Sequence, residues 1–212
     1  MRALPLLLLL AGCGALRAAG LLKDALRPVE ETREEVDERE ERIEGQRVRF
    51  IRPKDAAGTL PAVVLCHGAQ RDGIDDPRLV ALARALALRG ALVATPDFDS
   101  LRAYRIDPGD PDRLALLAAR VAGDGRVALV GISFGGSYSI VAAGRPAVRD
   151  KVSAVLGFGS YADLAALLQA WLADPSPPDP PSYAAGRRAV LLGNLDRLAP
   201  PGDRPQLRAA LK

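Results

Sequence analysis

The sequence is poor in the side chains from which metal sites and disulfide frameworks are built. Its 212 residues include only two cysteines, Cys13 and Cys66, which are too few to indicate a disulfide-stabilised domain. Histidine occurs once, at His67, so no cluster of histidines and cysteines suggests a bound metal. We therefore expect neither a metal nor an organic cofactor.

Clusters of positive charge are also lacking. Lys and Arg number 29 against 26 Asp and Glu, which gives a formal net charge of +3. No basic cluster is interleaved with aromatic residues, which make up only 4% of the chain, so a nucleic-acid partner is not expected. Hydrophobic residues make up 49% of a length that suits one domain, and the core must be built mainly from Leu, Ala and Val.

No apolar run is long enough to cross a bilayer as a helix. The N-terminal run at 3–11 follows Arg2 and falls well short of the roughly 20 residues that a spanning helix needs. It ends in Leu-Ala-Gly-Cys at 10–13, which resembles the lipobox of bacterial lipoproteins. The resemblance implies a signal segment over 1–12, acylation of Cys13 and a place in the bacterial cell envelope. The alternative is an uncleaved start, either of a cytoplasmic protein or of an apolar anchor.

Charged residues of both signs dominate residues 30–44. This composition favours a solvated helix or linker. It is also compatible with an exposed edge strand, whose only apolar anchors would be Val36 and Ile43. We treat residues 13–45 as a tether and charged segment, and residues 46–212 as the globular domain.

Beyond that segment the hydrophobic pattern alternates between strands and helices. Strand residues form continuous or alternating apolar runs, whereas helix residues repeat apolar positions at helical spacing. This alternation predicts an α/β fold, a three-layer sandwich with a mostly parallel sheet. Predicted strands lie at 46–52, 62–66, 91–95, 126–132, 152–157 and 189–193. Predicted helices lie at 77–89, 110–121, 134–143, 164–172 and 206–211, with a proline-rich loop at 174–181.

Two of the predicted helices begin with capping signals. Asp76 followed by Pro77 predicts an N-cap and a first helical residue, and Gly90 can close the same helix. Ser160 and Asp163 have the spacing of a capping box ahead of the helix at 164–172.

The stretch GISFGG, residues 131–136, places Ser133 at the junction of a predicted strand and a predicted helix. In such a tight turn the serine adopts a strained backbone, and side chains two residues away on either side would clash. Gly131 and Gly135 remove those clashes. The hydroxyl then stands above the sheet, with the N–H of Phe134 directed at a developing oxyanion.

Two other positions suit the same chemistry. The step His67 to Gly68 ends an upstream strand, where the following loop can lend a second oxyanion donor, the N–H of Ala69. Downstream, Asp196 comes shortly after the strand predicted at 189–193. A carboxylate at the carboxyl end of a strand is well placed to orient an imidazole.

Simpler interpretations stay open for these residues. Ser133 can be a serine in a tight glycine turn that binds an anion at the helix N-terminus. A dinucleotide-binding loop is disfavoured, because this serine replaces the middle glycine of the Gly-x-Gly-x-x-Gly pattern. His67 suits a structural role better than that of a base, and Asp196 can be an ordinary turn aspartate. Trp171, Leu168 and Leu167 fit a helix face that packs into the core or lines an acyl pocket.

Three stretches resemble the α/β-hydrolase superfamily, and in particular its dienelactone-hydrolase-like and esterase branches. They are VVLCHG at 63–68, GISFGG at 131–136 and VLLGNLDRLAPP at 190–201, and the similarity runs from about Arg47 to the end of the chain. The resemblance implies an α/β-hydrolase fold that cleaves a carboxylic ester or a related acyl bond of a small molecule, without a cofactor.

The resemblance also assigns roles to individual residues. Ser133 would be the nucleophile, and the backbone N–H groups of Phe134 and Ala69 would form the oxyanion hole. Asp196 would be the acid of the triad, with Asp163 as the alternative position that a minority of the family uses.

One part of the family pattern has no counterpart in this sequence. The family places its general base, a histidine, on a loop after the last strand, and uses a histidine such as His67, with Gly68, to shape the oxyanion loop. Here no histidine follows Ser133. We therefore expect a hydrolase domain without its last strand and histidine loop, with impaired turnover. The alternative is a non-catalytic, membrane-tethered binding or scaffold protein; the oligomeric state is open.

Overall fold

A computed structural model describes residues 19–173 and 181–211. Within them a six-stranded mixed sheet has the order β1-β2-β4-β3-β5-β6. Strand β1 pairs antiparallel with β2, and β2 with β4, whereas β4, β3, β5 and β6 pair in parallel. The strands are β1 Val36–Ile43, β2 Gln46–Pro53, β3 Ala62–Cys66, β4 Leu92–Pro96, β5 Val127–Ile132 and β6 Val152–Phe158.

Helices connect the parallel strands and continue beyond the last one. None of the described helices is both long and apolar enough to cross a membrane. The proline-rich loop predicted at 174–181 lies almost entirely outside the described residues. The helices are α1 (residues 19–25), α2 Val29–Thr32, α3 Pro77–Leu88, α4 Asp99–Arg102, α5 Asp110–Ala122, α6 Phe134–Ala143, α7 Leu164–Ala173, α8 Pro181–Gly193, α9 Leu195–Leu198 and α10 Arg204–Ala210.

Helices cover both faces of the sheet. Helix α3 packs on β2 and β4 over one core, which includes Leu65 and Leu79. Helices α5 and α6 pack on β3 and β5 over a second core, which includes Val64 and Leu114. Because the adjacent β3 residues Val64 and Leu65 join different cores, the two cores lie on opposite faces. The predicted three-layer α/β sandwich is confirmed.

Local capping chemistry explains where α3 begins and ends. The Asp76 carboxylate accepts hydrogen bonds from the backbone N–H groups of Arg78 at 2.8 Å and Leu79 at 3.4 Å, and Pro77 is the first helical residue. Gly90 follows the helix with φ +89°, a conformation that glycine adopts without strain. The predicted signals for this helix are confirmed.

The capping box predicted for α7 is wrong. Asp163 alone caps the helix, because its carboxylate accepts a hydrogen bond from the Ala166 N–H at 3.0 Å. Ser160 lies outside the helix, and among the described residues its buried Oγ has no hydrogen-bond partner. It packs instead between Gly136 and Gly157. Ser160 and Asp163 have the spacing of a capping box, but both residues precede the helix, so Asp163 is not its third residue.

The charged segment forms the edge strand β1. Val36 and Ile43, its first and last residues, are buried, while most residues between them face solvent. The Arg47 side chain on β2 pairs with Glu40 on β1 at 2.7 Å. The sheet therefore begins inside the stretch 13–45, which the sequence alone leaves open between linker and edge strand.

The strand predicted at 189–193 is wrong, because these residues form the last turns of helix α8. The buried positions described in and just after this helix are Arg187, Val190, Leu191, Asn194 and Leu195. They recur at intervals of three and four residues, which is the spacing of one helical face. A short apolar run cannot separate a buried strand from a buried helix turn, and here the longer helical pattern decides the structure.

Strand β6 is the open edge of the described sheet, at the end opposite to β1. It pairs with β5 alone among the described strands. Its side chains Val155, Leu156 and Phe158 are 39%, 49% and 52% exposed, and the neighbouring helix α6 exposes Ile140 and Val141. An apolar strand thus borders solvent next to β5 in the described sheet.

Candidate active site

Ser133 stands at the sharp turn between β5 and α6. It is the N-cap residue of α6, with φ +53° and ψ −123°, a backbone conformation that residues other than glycine seldom adopt. Its N–H donates a hydrogen bond to the Phe158 carbonyl at the end of β6, at 2.7 Å. Ser133 is half-buried. This strained strand–turn–helix junction has the geometry of a nucleophile elbow.

Glycines make this turn sterically possible. A Cβ on Gly131 would overlap the Gly135 carbonyl, and a Cβ on Gly135 would overlap the His67 carbonyl at the neighbouring strand end. Both positions therefore exclude larger residues. Gly136 is restricted in the same way, because a Cβ there would overlap Ser160 Oγ. Sequence reasoning gave Gly136 no role, and the only available signal was the doubled glycine of the motif.

The loop after β3 lies against the elbow. A Cβ on Gly68 would sit 3.2 Å from Ser133 Cβ and 3.1 Å from the Ile132 carbonyl oxygen, so the loop and the turn are in contact. Among the described residues, the N–H groups of Ala69 on this loop and of Phe134 at the start of α6 donate no backbone hydrogen bond. Donors left open beside a serine can hold a developing oxyanion.

His67 is fully buried, and both of its ring nitrogens are engaged. Nδ1 donates to the Gly68 carbonyl at 2.7 Å, and Nε2 accepts from the Phe98 N–H at 3.0 Å. These partners assign the proton to Nδ1 of a neutral ring. Burial is the largest influence on the pKa of His67 and holds it below the ordinary value. The imidazole therefore joins the ends of β3 and β4, with no nitrogen left for the Ser133 proton.

No described hydrogen bond joins Ser133 to either candidate acid, Asp196 or Asp163. Asp196 lies in the short helix α9, exposed, and pairs with Arg105 at 3.0 Å. Desolvation acts to raise the pKa of Asp196, but the hydrogen bond and charge of Arg105 leave it below its usual value. Its predicted placement after a strand is wrong, because that strand is helix α8. Asp163 is exposed and caps α7. Their roles as acids stay predictions.

Cys66 is a poor alternative nucleophile. Its side chain is completely buried, and burial raises the pKa of its thiol, which disfavours the reactive thiolate. Among the described residues, no group of three or more His, Cys, Asp or Glu side chains could hold a metal ion.

Aromatic rings form a row that leads away from the elbow. The Phe134 ring packs edge-on against Tyr161 at 5.0 Å and lies 6.5 Å from the Trp171 ring of α7. Trp171 in turn meets Tyr183 of α8 at 6.3 Å, edge-on. Sequence reasoning considered Trp171 but missed the two tyrosines, because only the folded chain brings them together.

The sheet order, the helices on both faces and the elbow together define the α/β-hydrolase fold. Solved structures of hydrolases resemble this chain. The esterase Est22 has a TM-score of 0.52 at 19% identity, over 71% of this chain and 50% of its own. Brefeldin A esterase, a bacterial homologue of human hormone-sensitive lipase, has 0.41 at 22%, over 51% and 35%. A protein assigned as a dienelactone hydrolase, from Klebsiella pneumoniae, has 0.38 at 24%, over 53% and 56%.

These likenesses concern the fold alone, and of the three only the superposition on Est22 is close enough to support it. The chain spans about half the length of that esterase, at 50% of its residues. No protein-family model and no curated protein matches the sequence.

Proposed function

We propose that this chain is a serine-hydrolase-type domain that acts on a carboxylic ester or a related acyl bond, with Ser133 as its nucleophile. The observation that carries the proposal is the Ser133 backbone, at φ +53° between β5 and α6. Strain of this kind is kept where it serves a reaction, and it lifts the hydroxyl clear of the sheet edge. The esterase Est22, which shares the fold, supports a small-molecule ester as substrate.

The proposed reaction proceeds through an acyl-enzyme. Ser133 Oγ attacks the acyl carbon, the carbonyl oxygen becomes an oxyanion held by the N–H groups of Phe134 and Ala69, and the alcohol leaves with the serine proton. Water then attacks the ester on Ser133 and releases the carboxylic acid. With His67 engaged elsewhere, no imidazole of this chain removes the proton, so turnover falls by on the order of 10⁶-fold relative to a complete triad.

A fluorophosphonate probe tests the nucleophile directly, because it labels activated serines without needing the natural substrate. Because no imidazole assists Ser133, we expect slow labelling over a long exposure, at the same rate in the wild-type chain and in Ser153→Ala, a matched change at an exposed serine of β6. Labelling should disappear in Ser133→Ala. Labelling that persists in that variant would assign the reactivity to another residue.

A non-catalytic binding or scaffold protein is the second candidate. It is favoured by the two hydrogen bonds that occupy the nitrogens of His67, the only histidine of the chain. A chain that melts cooperatively and yet takes up no fluorophosphonate over the same long exposure would favour this candidate over the hydrolase.

We further propose that Cys13 carries a lipid anchor in the bacterial cell envelope. This residue lies outside the described residues, and the proposal rests on the lipobox-like sequence at 10–13. Cells fed an alkynyl fatty acid should label the wild-type protein and Cys66→Ser but not Cys13→Ser. If none of the three proteins is labelled, the cytoplasmic alternative is favoured.

A further inference from the structure

Helices α7 to α10 line an open cavity of about 580 Å³, in which the proposed nucleophile Ser133 takes no part. Its volume falls within the range of roughly 300–1,000 Å³ that is typical of small-molecule sites. The walls are largely aliphatic and include Leu191, Leu195, Leu198 and Leu207. Leu191 and Leu195 are only 3% and 4% exposed, so they form the floor of the cavity.

The charged groups among the described lining residues of the cavity all have one sign. Arg187 and Arg188 of α8 line it, and no described lining residue is acidic. Arg187 is buried and already has a partner, whereas Arg188 is exposed. An aliphatic cavity bordered by a solvent-facing guanidinium fits a ligand with an alkyl chain and a single anionic head, because each part meets its complement.

Trp171 joins this cavity to the elbow. Its indole lines the cavity, and the same ring lies 6.5 Å from the ring of Phe134, the residue next to Ser133. Helix α9 is held to the connection that follows β4 through Asn194, whose Oδ1 accepts the Ile106 N–H at 2.9 Å. The cavity therefore lies on the side of the sheet where the parallel strands end, which is also the side of the elbow.

We propose that this cavity binds the alkyl chain of an aliphatic carboxylate, with the carboxylate at Arg188. Its use for the acyl group of a substrate, or for the acid released from it, rests on the proposed function. The binding itself does not, because it needs no reaction at Ser133. The ligand class is thus a carboxylic acid with an aliphatic chain.

Trp171 provides the readout, since it is the only tryptophan in the chain. Titration of the full chain with sodium dodecanoate, below the concentration at which it forms micelles, should shift Trp171 emission and saturate. Ser133→Ala should respond equally. In Arg188→Gln the dissociation constant for dodecanoate should rise by up to about fivefold, because the variant loses one exposed charge pair. The dissociation constant for neutral 1-dodecanol should not change.

Filling the cavity should abolish the response. Ala184 lines the cavity, and Ala184→Phe places a ring in it, whereas Ala166→Phe makes the same change on an exposed position of α7 and should leave binding intact. Ala210→Phe, at an exposed lining residue, is the second filling variant should the first lose its cooperative melt. A wild-type chain without a saturable shift, or a shift that survives both filling variants, overturns the proposal.

The outcome is separable from that of the proposed function. Dodecanoate binding without fluorophosphonate labelling would keep the cavity assignment and remove the hydrolase. Labelling at Ser133 without dodecanoate binding would do the reverse.

Discussion

Ser133 keeps its positive φ because its surroundings leave no room for a relaxed turn. The hydrogen bond from its N–H to Phe158 ties the turn to β6, and the glycines at 131 and 135 allow the chain to pass the end of β3. At the scale of single residues the strained position and its two glycines could be predicted, since they follow from local sterics. Gly136 and Tyr161 could not, because their constraints come from strands and loops distant in sequence.

The steric role of Gly135 predicts a large loss of stability in Gly135→Ala. The added Cβ would meet the carbonyl of His67, a backbone atom that cannot move aside without distorting β3. We expect the free energy of unfolding, measured by urea denaturation, to fall by about 3 kcal/mol or more.

Gly144→Ala is the matched control for that change. Gly144 follows α6 with φ −80°, and its added Cβ would lie no closer than 3.6 Å to the Val141 carbonyl oxygen. This variant should be unchanged or stabilised by up to about 1 kcal/mol. Equal losses in both variants would contradict the steric role assigned to the elbow.

Burial of His67 predicts a pH dependence of stability. In the unfolded chain this imidazole takes up a proton near its ordinary pKa of 6.5, whereas in the folded protein burial lowers the pKa. Its contribution to stability is therefore complete above pH 6.5 and is lost as the pH falls toward the folded-state pKa. We expect wild type to lose up to about 1.4 kcal/mol per pH unit relative to His67→Gln over this interval.

Urea denaturation of both proteins at pH 7.5 and 5.5 measures this difference. The carboxylates that lie away from position 67 are shared by the two proteins, so their contributions cancel in the comparison. Parallel changes in the two proteins would show that the buried imidazole does not resist protonation.

At the scale of helices and strands, the sequence predicts best where local chemistry marks both ends of an element. Strand β3 and helix α6 coincide with their predicted bounds, and α3 begins at its predicted cap. The run at 189–193 was mistaken for a strand because four apolar residues in a row suit either structure. Asp196 was predicted to follow this strand, and it follows helix α8 instead. One wrong assignment of periodicity therefore also gave a candidate site residue the wrong position.

The capping role of Asp76 predicts a measurable contribution to the stability of α3. Asp76→Ala removes the acceptor for the N–H groups of Arg78 and Leu79 and should lower the free energy of unfolding by about 1 kcal/mol. Asp76→Asn keeps an acceptor and should retain most of the stability. Asp124→Ala, at an exposed position, should change it by less than about 0.5 kcal/mol. A thermal melt or urea titration that ranks Asp124→Ala with Asp76→Ala would rule out the cap.

At the scale of the whole molecule, the two edges of the sheet differ in chemistry. The residues of β1 between Val36 and Ile43 are charged, so that edge resists pairing with other chains. The opposite edge, β6, carries no charge from Val152 to Phe158 and exposes apolar side chains. The sequence shows that β6 is an apolar strand, but its place at the edge depends on the order in which the strands pair.

This asymmetry predicts that the protein associates with itself through β6. An uncharged, apolar edge strand offers unpaired backbone groups to another chain, and a charge there opposes such pairing. Val155→Lys, at a side chain that is already 39% exposed, should lower the concentration-dependent rise of the apparent mass in light scattering and leave the melting temperature unchanged. Leu116→Lys, which alters a leucine 52% exposed on α5, should associate like wild type. If both variants reduce association equally, the effect belongs to net charge, and β6 is not the contact.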